Sequence, residues 1–323
     1  MKRTYAFIML LTGFCAAFCA AFCAAAFMGC AKKNRAVENT GGTITVMAAI
    51  FPPYDFVRAI AGERARLSML LPPGAESHSF EPSPRDIIAI QNSDVFIYTG
   101  GESDEWVRRI LSSMDTSSMT VLALIDSVDA VEEEIVEGME AEDEAEEAVY
   151  DEHIWTSPKN AKRMVRTIAD ALGEKDGVNA EFYRLNAEAY LTQLDELDRA
   201  FAEAVKSGKR KTIVFADRFP FRYFADAYGL SYFAAFPGCS TETEPSAAAA
   251  AFLIDKVKAE KIPAVFYIEF SNEKMADAVS EASGAKKLLF HSAHNVTKRD
   301  FEAGVSYLDI MRMNVERLRE ALE

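Results

Sequence analysis

Residues 190–208 read YLTQLDELDRAFAEAVKSG. Tyr190, Leu194, Leu197, Phe201 and Val205 recur at spacings of four, three, four and four, which lines one face of an α-helix. Gly208 ends the pattern as a helix-terminating residue. The segment 178–208 is therefore predicted to carry a helix of about 25 residues, roughly 38 Å long at 1.5 Å per residue. A rod of that length joins what lies on either side of it and limits hinge motion, and its apolar stripe is core packing.

On both sides of this helix, β-branched and aromatic runs alternate with helical patterns. TITVMAAI, RLSMLLP, VFIYTG and MTVLAL precede it; KTIVFAD, SYFAAFP, IPAVFYIEF and KKLLFH follow. Strands alternating with helices mean βαβ units and largely parallel sheets. Four strands per half are enough for a sheet in each. The predicted class is α/β, two lobes each with a mainly parallel sheet and surrounding helices, joined by the long rigid helix. Half of the 323 residues are apolar, and single cores stop growing near 250–300 residues, so two cores are expected. The predicted lobes are 43–177 and 209–323. Within the first lobe, Ser157 and Pro158 read as an N-cap and first helical residue, and FPP at 51–53 reads as a turn under the cleft.

The N-terminus points to export. Lys2 and Arg3 precede an apolar stretch from Tyr5 to Met28, and FMGC then gives way to the polar AKKNRAVENTGG. That is the charged, apolar and small-residue order of an export signal. Cys30 at the junction resembles the cleaved and lipidated cysteine of bacterial lipoproteins, which makes 1–30 a lipoprotein signal peptide and 31–42 a tether. The competing reading is an uncleaved anchor, since the stretch is long enough to span a bilayer. Cys15, Cys19 and Cys23 also lie in the leader, so the body keeps Cys239 as a lone thiol, and no disulfide framework follows. In FPGCSTETEPS it reads as a small loop residue.

The net charge of −15 argues against nucleic acid, which requires a cationic footprint. Thirteen acidic residues and no basic one fall between Asp129 and Glu152. A like-charge block repels itself, so 129–152 is predicted to be a mobile acidic loop of the first lobe.

The chain has four histidines, His78, His153, His291 and His294. His78 lies in LPPGAESHSFEPSPRD, between a strand and a helix beginning near Pro84; His153 follows the acidic run; His291 ends the last strand. In open α/β sheets, ligands gather outside the carboxyl ends of the strands, where these three imidazoles are placed to converge. Imidazole suits zinc, copper, iron or nickel, and carboxylates shift the balance toward manganese. Three imidazoles need a fourth donor.

LPPGAESHSFEPSPRD, NSDVFIYTGGESDEW, DEHIWTSPKNA, RYFADAYGL, TETEPSAA and SYLDIMRMNVERLREAL occur in that order over nearly all of the body. Together they resemble the periplasmic or lipid-anchored metal-binding proteins of zinc and manganese ABC importers, the cluster A-I solute receptors. The resemblance implies that His78 and His153 are the first two metal ligands. The family's third ligand, a His or Glu, falls on Arg218, whose guanidinium stays protonated and cannot ligate a cation. Its neighbour Asp217 is the substitute. The fourth, a carboxylate, falls on His291, and Glu269 at the end of AVFYIEF is a further candidate, as ligand or as partner to Arg218. His294 has no counterpart and is expected outside the first ring of donors, although its spacing of three from His291 permits a joint role. Trp155 and Tyr223 are expected to pack around the site.

The resemblance further implies an exported receptor, lipid-anchored through Cys30 and monomeric, that passes a divalent ion, zinc before manganese, to an ABC permease in the cytoplasmic membrane. No enzyme activity is implied and no cofactor besides the ion. The acidic run either concentrates cations at the base where His153 is fixed or is a solvated loop whose charge only confers solubility. Two competitors stand beside this reading. One is a secreted zinc hydrolase with Asp217 or Glu269 as general base, against which speaks the lack of an HExxH signature. The other is an adhesin-type surface lipoprotein without metal.

Overall fold

A computed structural model describes residues 43–76, 80–139, 149–240 and 246–323. His78, Cys30, the acids at 140–147 and the TETEP stretch at 241–245 lie outside the described residues. Eight strands form where the apolar runs are. β1 (Ile44–Ala48), β2 (Ala65–Met69), β3 (Val95–Tyr98) and β4 (Thr120–Ala123) make one sheet in the order β2-β1-β3-β4. β5 (Thr212–Phe219), β6 (Ser231–Pro237), β7 (Ala264–Tyr267) and β8 (Lys286–Leu289) make the second in the order β6-β5-β7-β8. All pairings are parallel, with Val46 opposite both Leu67 and Val95, and Phe215 opposite both Ala234 and Phe266.

The two sheets therefore share one strand order. In each, the chain reverses its direction of travel across the sheet between the first strand and the third, and the crevice beyond the carboxyl ends at that reversal is where such sheets take a ligand.

The helices are α1 (Phe51–Ala61), α2 (Pro84–Gln91), α3 (Glu105–Leu111), α4 (Pro158–Lys175), α5 (Ala180–Ser207), α6 (Arg222–Tyr228), α7 (Ala247–Glu260), α8 (Lys274–Ser283), α9 (Lys298–Glu302) and α10 (Tyr307–Leu322). The long predicted helix is α5, 28 residues with Tyr190, Leu194, Leu197, Phe201 and Val205 all buried. FPP is not a turn: Phe51 to Pro53 are the first residues of α1, where a proline costs nothing because the first N–H groups of a helix have no intrahelical partner. α4 begins at Pro158 after Ser157, although the Ser157 hydroxyl caps no backbone N–H. α2 has its cap in full, with Ser83 and Asp86 bonding each other's backbone N–H.

Instead of two separate cores, one continuous buried cluster runs through both sheets. It carries Val46, Phe56 and Val95 from one half, Phe215, Phe266 and Phe290 from the other, and Tyr190, Leu194 and Tyr307 from α5 and α10. Two smaller clusters cover the outer faces, around Phe96 and around Val265. The helices between the sheets are apolar on the faces turned to each, so burial continues through them. No helix among the described residues is long and apolar enough to cross a membrane.

Candidate metal centre

His153 stands at the end of an extended stretch and just before a single 3₁₀ turn, Ile154–Thr156. Its side chain is 1% exposed. Asp151 fixes it twice: Oδ1 accepts the backbone N–H of His153 at 2.7 Å and lies 3.0 Å from Nδ1. A carboxylate holding Nδ1 is the arrangement that orients the ring of a metal-binding imidazole. Burial opposes a charged ring here, but the Asp151 charge and hydrogen bond, with Glu152 and Glu133 behind them, hold the His153 pKa above its ordinary value. Gly238 is needed beside it. A Cβ there would meet the Phe219 carbonyl at 2.9 Å and the His153 ring at 3.2 Å.

Trp155 and Tyr223 pack around this point as expected, and each is pinned. The Trp155 indole N–H donates to the Ser292 carbonyl at 2.8 Å, and Tyr307 Oη donates to the Trp155 carbonyl at 2.7 Å. Tyr223 Oη donates to the Asp151 carbonyl at 2.7 Å. The indole then carries His294, whose ring lies 4.8 Å from it and 5.6 Å from His153.

The loop after β8 decides which histidine faces His153. Ala293 has φ 61°, a left-handed conformation rare for a residue with a side chain. It turns the chain between the two imidazoles. His294 lines a cleft of about 20 Å³ together with His153, Glu76, Arg218 and Glu269. His291 does not line it. Its Nδ1 lies 2.9 Å from the Ala293 nitrogen and 3.3 Å from Glu269 Oε1, while Asn314 holds its backbone from both sides.

The two carboxylates expected as donors are engaged elsewhere. Asp217 accepts the N–H groups of Arg218 (2.8 Å) and Ile268 (3.2 Å), bracing the irregular end of β5 against β7, and does not line the cleft. Burial is the main cause of its raised pKa. Glu269 does border the cleft, but its oxygens accept the Ser292 N–H (2.7 Å), the Ser292 hydroxyl (2.5 Å) and the His294 N–H (3.2 Å). Burial alone would raise its pKa; His291 and the Ser292 donors outweigh that and hold it at about 2. Glu269 cinches the histidine-bearing loop. Arg218 points into the cleft, with Nη2 at 3.3 Å from Glu76 Oε2 and Nη1 donating to the Ser240 carbonyl at 3.3 Å. Among the described residues, no three His, Cys, Asp or Glu side chains stand close enough together to hold an ion.

His294 and Glu76 are the cleft residues that the sequence did not single out as donors. The signals available were the three-residue spacing in HSAH and the position of Glu76 two residues before His78.

Part of the acidic run differs from the expected free loop. Residues 131–139 lie against the second half: Glu133 Oε1 accepts the Cys239 N–H at 2.9 Å, Glu134 pairs with Arg222 at 2.7 Å and accepts from Tyr232 Oη at 2.9 Å, and Glu137 approaches Lys256 at 3.5 Å. Val131, Val136 and Met139 pack on the core between these acids. Cys239 is a free thiol, its pKa pushed well up by burial and by the surrounding Glu152, Glu133 and Asp151.

Known proteins resemble this chain in sequence and in fold. The zinc-binding lipoprotein AdcA of Streptococcus pneumoniae is 31% identical over 284 residues, 87% of this chain and 56% of AdcA, so the chain spans little more than half of that relative. The high-affinity zinc uptake system protein ZnuA of Bacillus subtilis is 29% identical over 294 residues, 89% of this chain and 90% of that protein. The crystal structure of the Zn(II)-bound ZnuA-like domain of Streptococcus pneumoniae AdcA superposes with a TM-score of 0.73 at 29% identity, over 87% of this chain and 99% of that domain. The family described as zinc-uptake complex component A, periplasmic (ZnuA), matches residues 46–321, and the chain belongs to it.

Proposed function

We propose that this protein is an extracytoplasmic receptor that captures a divalent first-row metal ion, zinc foremost, and delivers it to an ABC permease. The observation that carries the reading is the pair His153 and His294 on one cleft, with Nδ1 of His153 tied to Asp151. Relatives named for zinc binding and zinc uptake support it. Imidazoles outnumber free carboxylates at the cleft, which favours zinc over manganese.

The donors we assign are His78, His153 and His294. Glu76 lines the cleft and Phe80 lines a neighbouring cavity, and His294 borders both, so residues on either side of His78 flank the site. His291, Asp217 and Glu269 serve the loops that carry these donors. Export and a lipid anchor at Cys30 complete the reading, with the receptor acting as a monomer. A hydrolase is disfavoured because Asp217 does not line the cleft and Glu269 is held there by three hydrogen bonds from Ser292 and His294.

The test is elemental analysis of the purified protein after chelation and re-exposure to equimolar zinc, manganese, iron and copper. One zinc per chain is expected, lost in His78→Ala, His153→Ala and His294→Ala. No retained ion, or retention indifferent to these substitutions, would refute the receptor and leave the metal-free surface protein.

A further inference from the structure

The long helix α5 and the turn before it carry a second apolar stripe, and this one faces outward. Val178, Phe182, Leu185 and Ala189 recur at spacings of four, three and four. Val178 is 66% exposed, Phe182 38% and Leu185 54%, whereas Tyr183, Ala187 and Tyr190 on the inner face are buried. An apolar side chain exposed singly needs no explanation, but a row of them marks a contact.

The place of the stripe in the fold says what it contacts. Phe182 borders the 3₁₀ turn Gly62–Arg64 that leads into β2: a Cβ on Gly62 would stand 3.9 Å from its ring, and the Arg64 guanidinium lies 5.4 Å from the ring centre. Ala65, the first residue of β2, pairs with Ile44, the first of β1. The stripe thus lies at the amino end of the first sheet, where the chain enters the sheet at Thr43. His294 stands at the other end, in the cavity bordered by Ala49, Leu70 and Thr99, the residues just past β1, β2 and β3.

We infer that the stripe from Val178 to Ala189 rests on the lipid surface to which the receptor is anchored, so that the metal cleft is held turned to the medium. This rests on the export and Cys30 anchor of the reading above. The twelve residues 31–42 span at most roughly 40 Å, so a lipidated Cys30 keeps Thr43, and the stripe at the same end, close to the bilayer. Arg64 over Phe182 and Arg184, paired with Glu181 at 2.7 Å, suit a headgroup layer. The exposed acids Glu63 and Glu188 nearby keep the contact at the headgroup boundary, the depth of an interfacial helix.

The test uses the full chain, purified from membranes and reconstituted in vesicles of phosphatidylethanolamine and phosphatidylglycerol. An environment-sensitive nitrobenzoxadiazole label is placed at Leu185→Cys or, as control, at Tyr150→Cys, an exposed position beside Asp151. The unsubstituted parent supplies the labelling background. All substituted positions are exposed, so the fold is not threatened. The Leu185 label should shift to the blue on vesicles and lose most of its emission to a quencher carried on lipid chains, while the Tyr150 label stays aqueous. Adding Val178→Ser should weaken the quenching. An aqueous Leu185 label on protein that sediments with the vesicles would overturn the inference and spare the receptor. A blue shift that needs no vesicles and grows with protein concentration would assign the stripe to a second copy, and overturn it too. Protein that does not sediment with the vesicles would overturn the anchor and the inference together, and zinc retention by the same sample judges the receptor separately.

Discussion

The rings of His153 and His294 stand 5.6 Å apart at an interplanar angle of 85°, one from each half of the chain, with the Trp155 indole beside both. This pairing separates the roles of the two histidines in HSAH. His294→Ala is expected to abolish zinc retention. His291→Ala should keep one zinc per chain and weaken it about tenfold, the scale for outer partners that orient ligands. Competition titrations against a chromophoric chelator measure both. Equal losses would mean that His291 reaches the ion after all.

Gly238 tests how tightly the His153 ring is placed. The extra methyl of Gly238→Ala meets the Phe219 carbonyl at 2.9 Å and the ring at 3.2 Å, and neither can yield without moving a strand or the imidazole. Overpacking of this kind costs about 1–3 kcal/mol. The variant should unfold at lower denaturant and bind zinc more weakly at unchanged stoichiometry. Wild-type affinity in a folded Gly238→Ala protein would show that the ring position is not critical.

Glu269 gives a pH dependence of known sign. Its pKa is about 2 in the folded protein against an ordinary 4.5. A depressed carboxylate stabilises the fold fully above 4.5, and that contribution disappears as pH falls from about 4.5 to about 2. The difference amounts to up to about 3 kcal/mol. Glu269→Gln should therefore be less stable than the parent at pH 7, with the gap closing below pH 4.5 in denaturant titrations. A gap independent of pH would show that packing, not charge, is what Glu269 supplies.

Much of this fold was legible because its signals are local. β-Branched runs such as KTIVFAD form strands wherever a sheet is available, and the Tyr190 to Val205 stripe can be buried in one way only. The site was less legible because its decisive features are not local. The left-handed Ala293 turns His294, not His291, to the cleft, and nothing in the side-chain pattern marks that residue. The hydrogen bonds that Asp217 accepts from Ile268, and Glu269 from Ser292 and His294, are tertiary contacts that no sequence pattern displays. The acidic run misled by its charge, since Val131, Val136 and Met139 supply the apolar anchors that dock its first part.

The docked stretch 131–139 and the acids at 140–147 can be tested apart. Glu133 is partly buried, chiefly for that reason has a raised pKa, and accepts the Cys239 N–H next to Gly238. Glu133→Ala leaves that donor without its partner and should cost about 1–3 kcal/mol of stability. The acids at 140–147 are expected to act through their field, by raising the local cation concentration. Replacing them with serine and glycine should leave the unfolding midpoint unchanged and slow zinc capture about tenfold at low salt, an effect that fades once salt shortens the Debye length to a few ångströms. Stopped-flow capture rates at two ionic strengths decide the point. Equal rates at low salt would restrict the acidic run to its structural half, around Glu133 and Glu134.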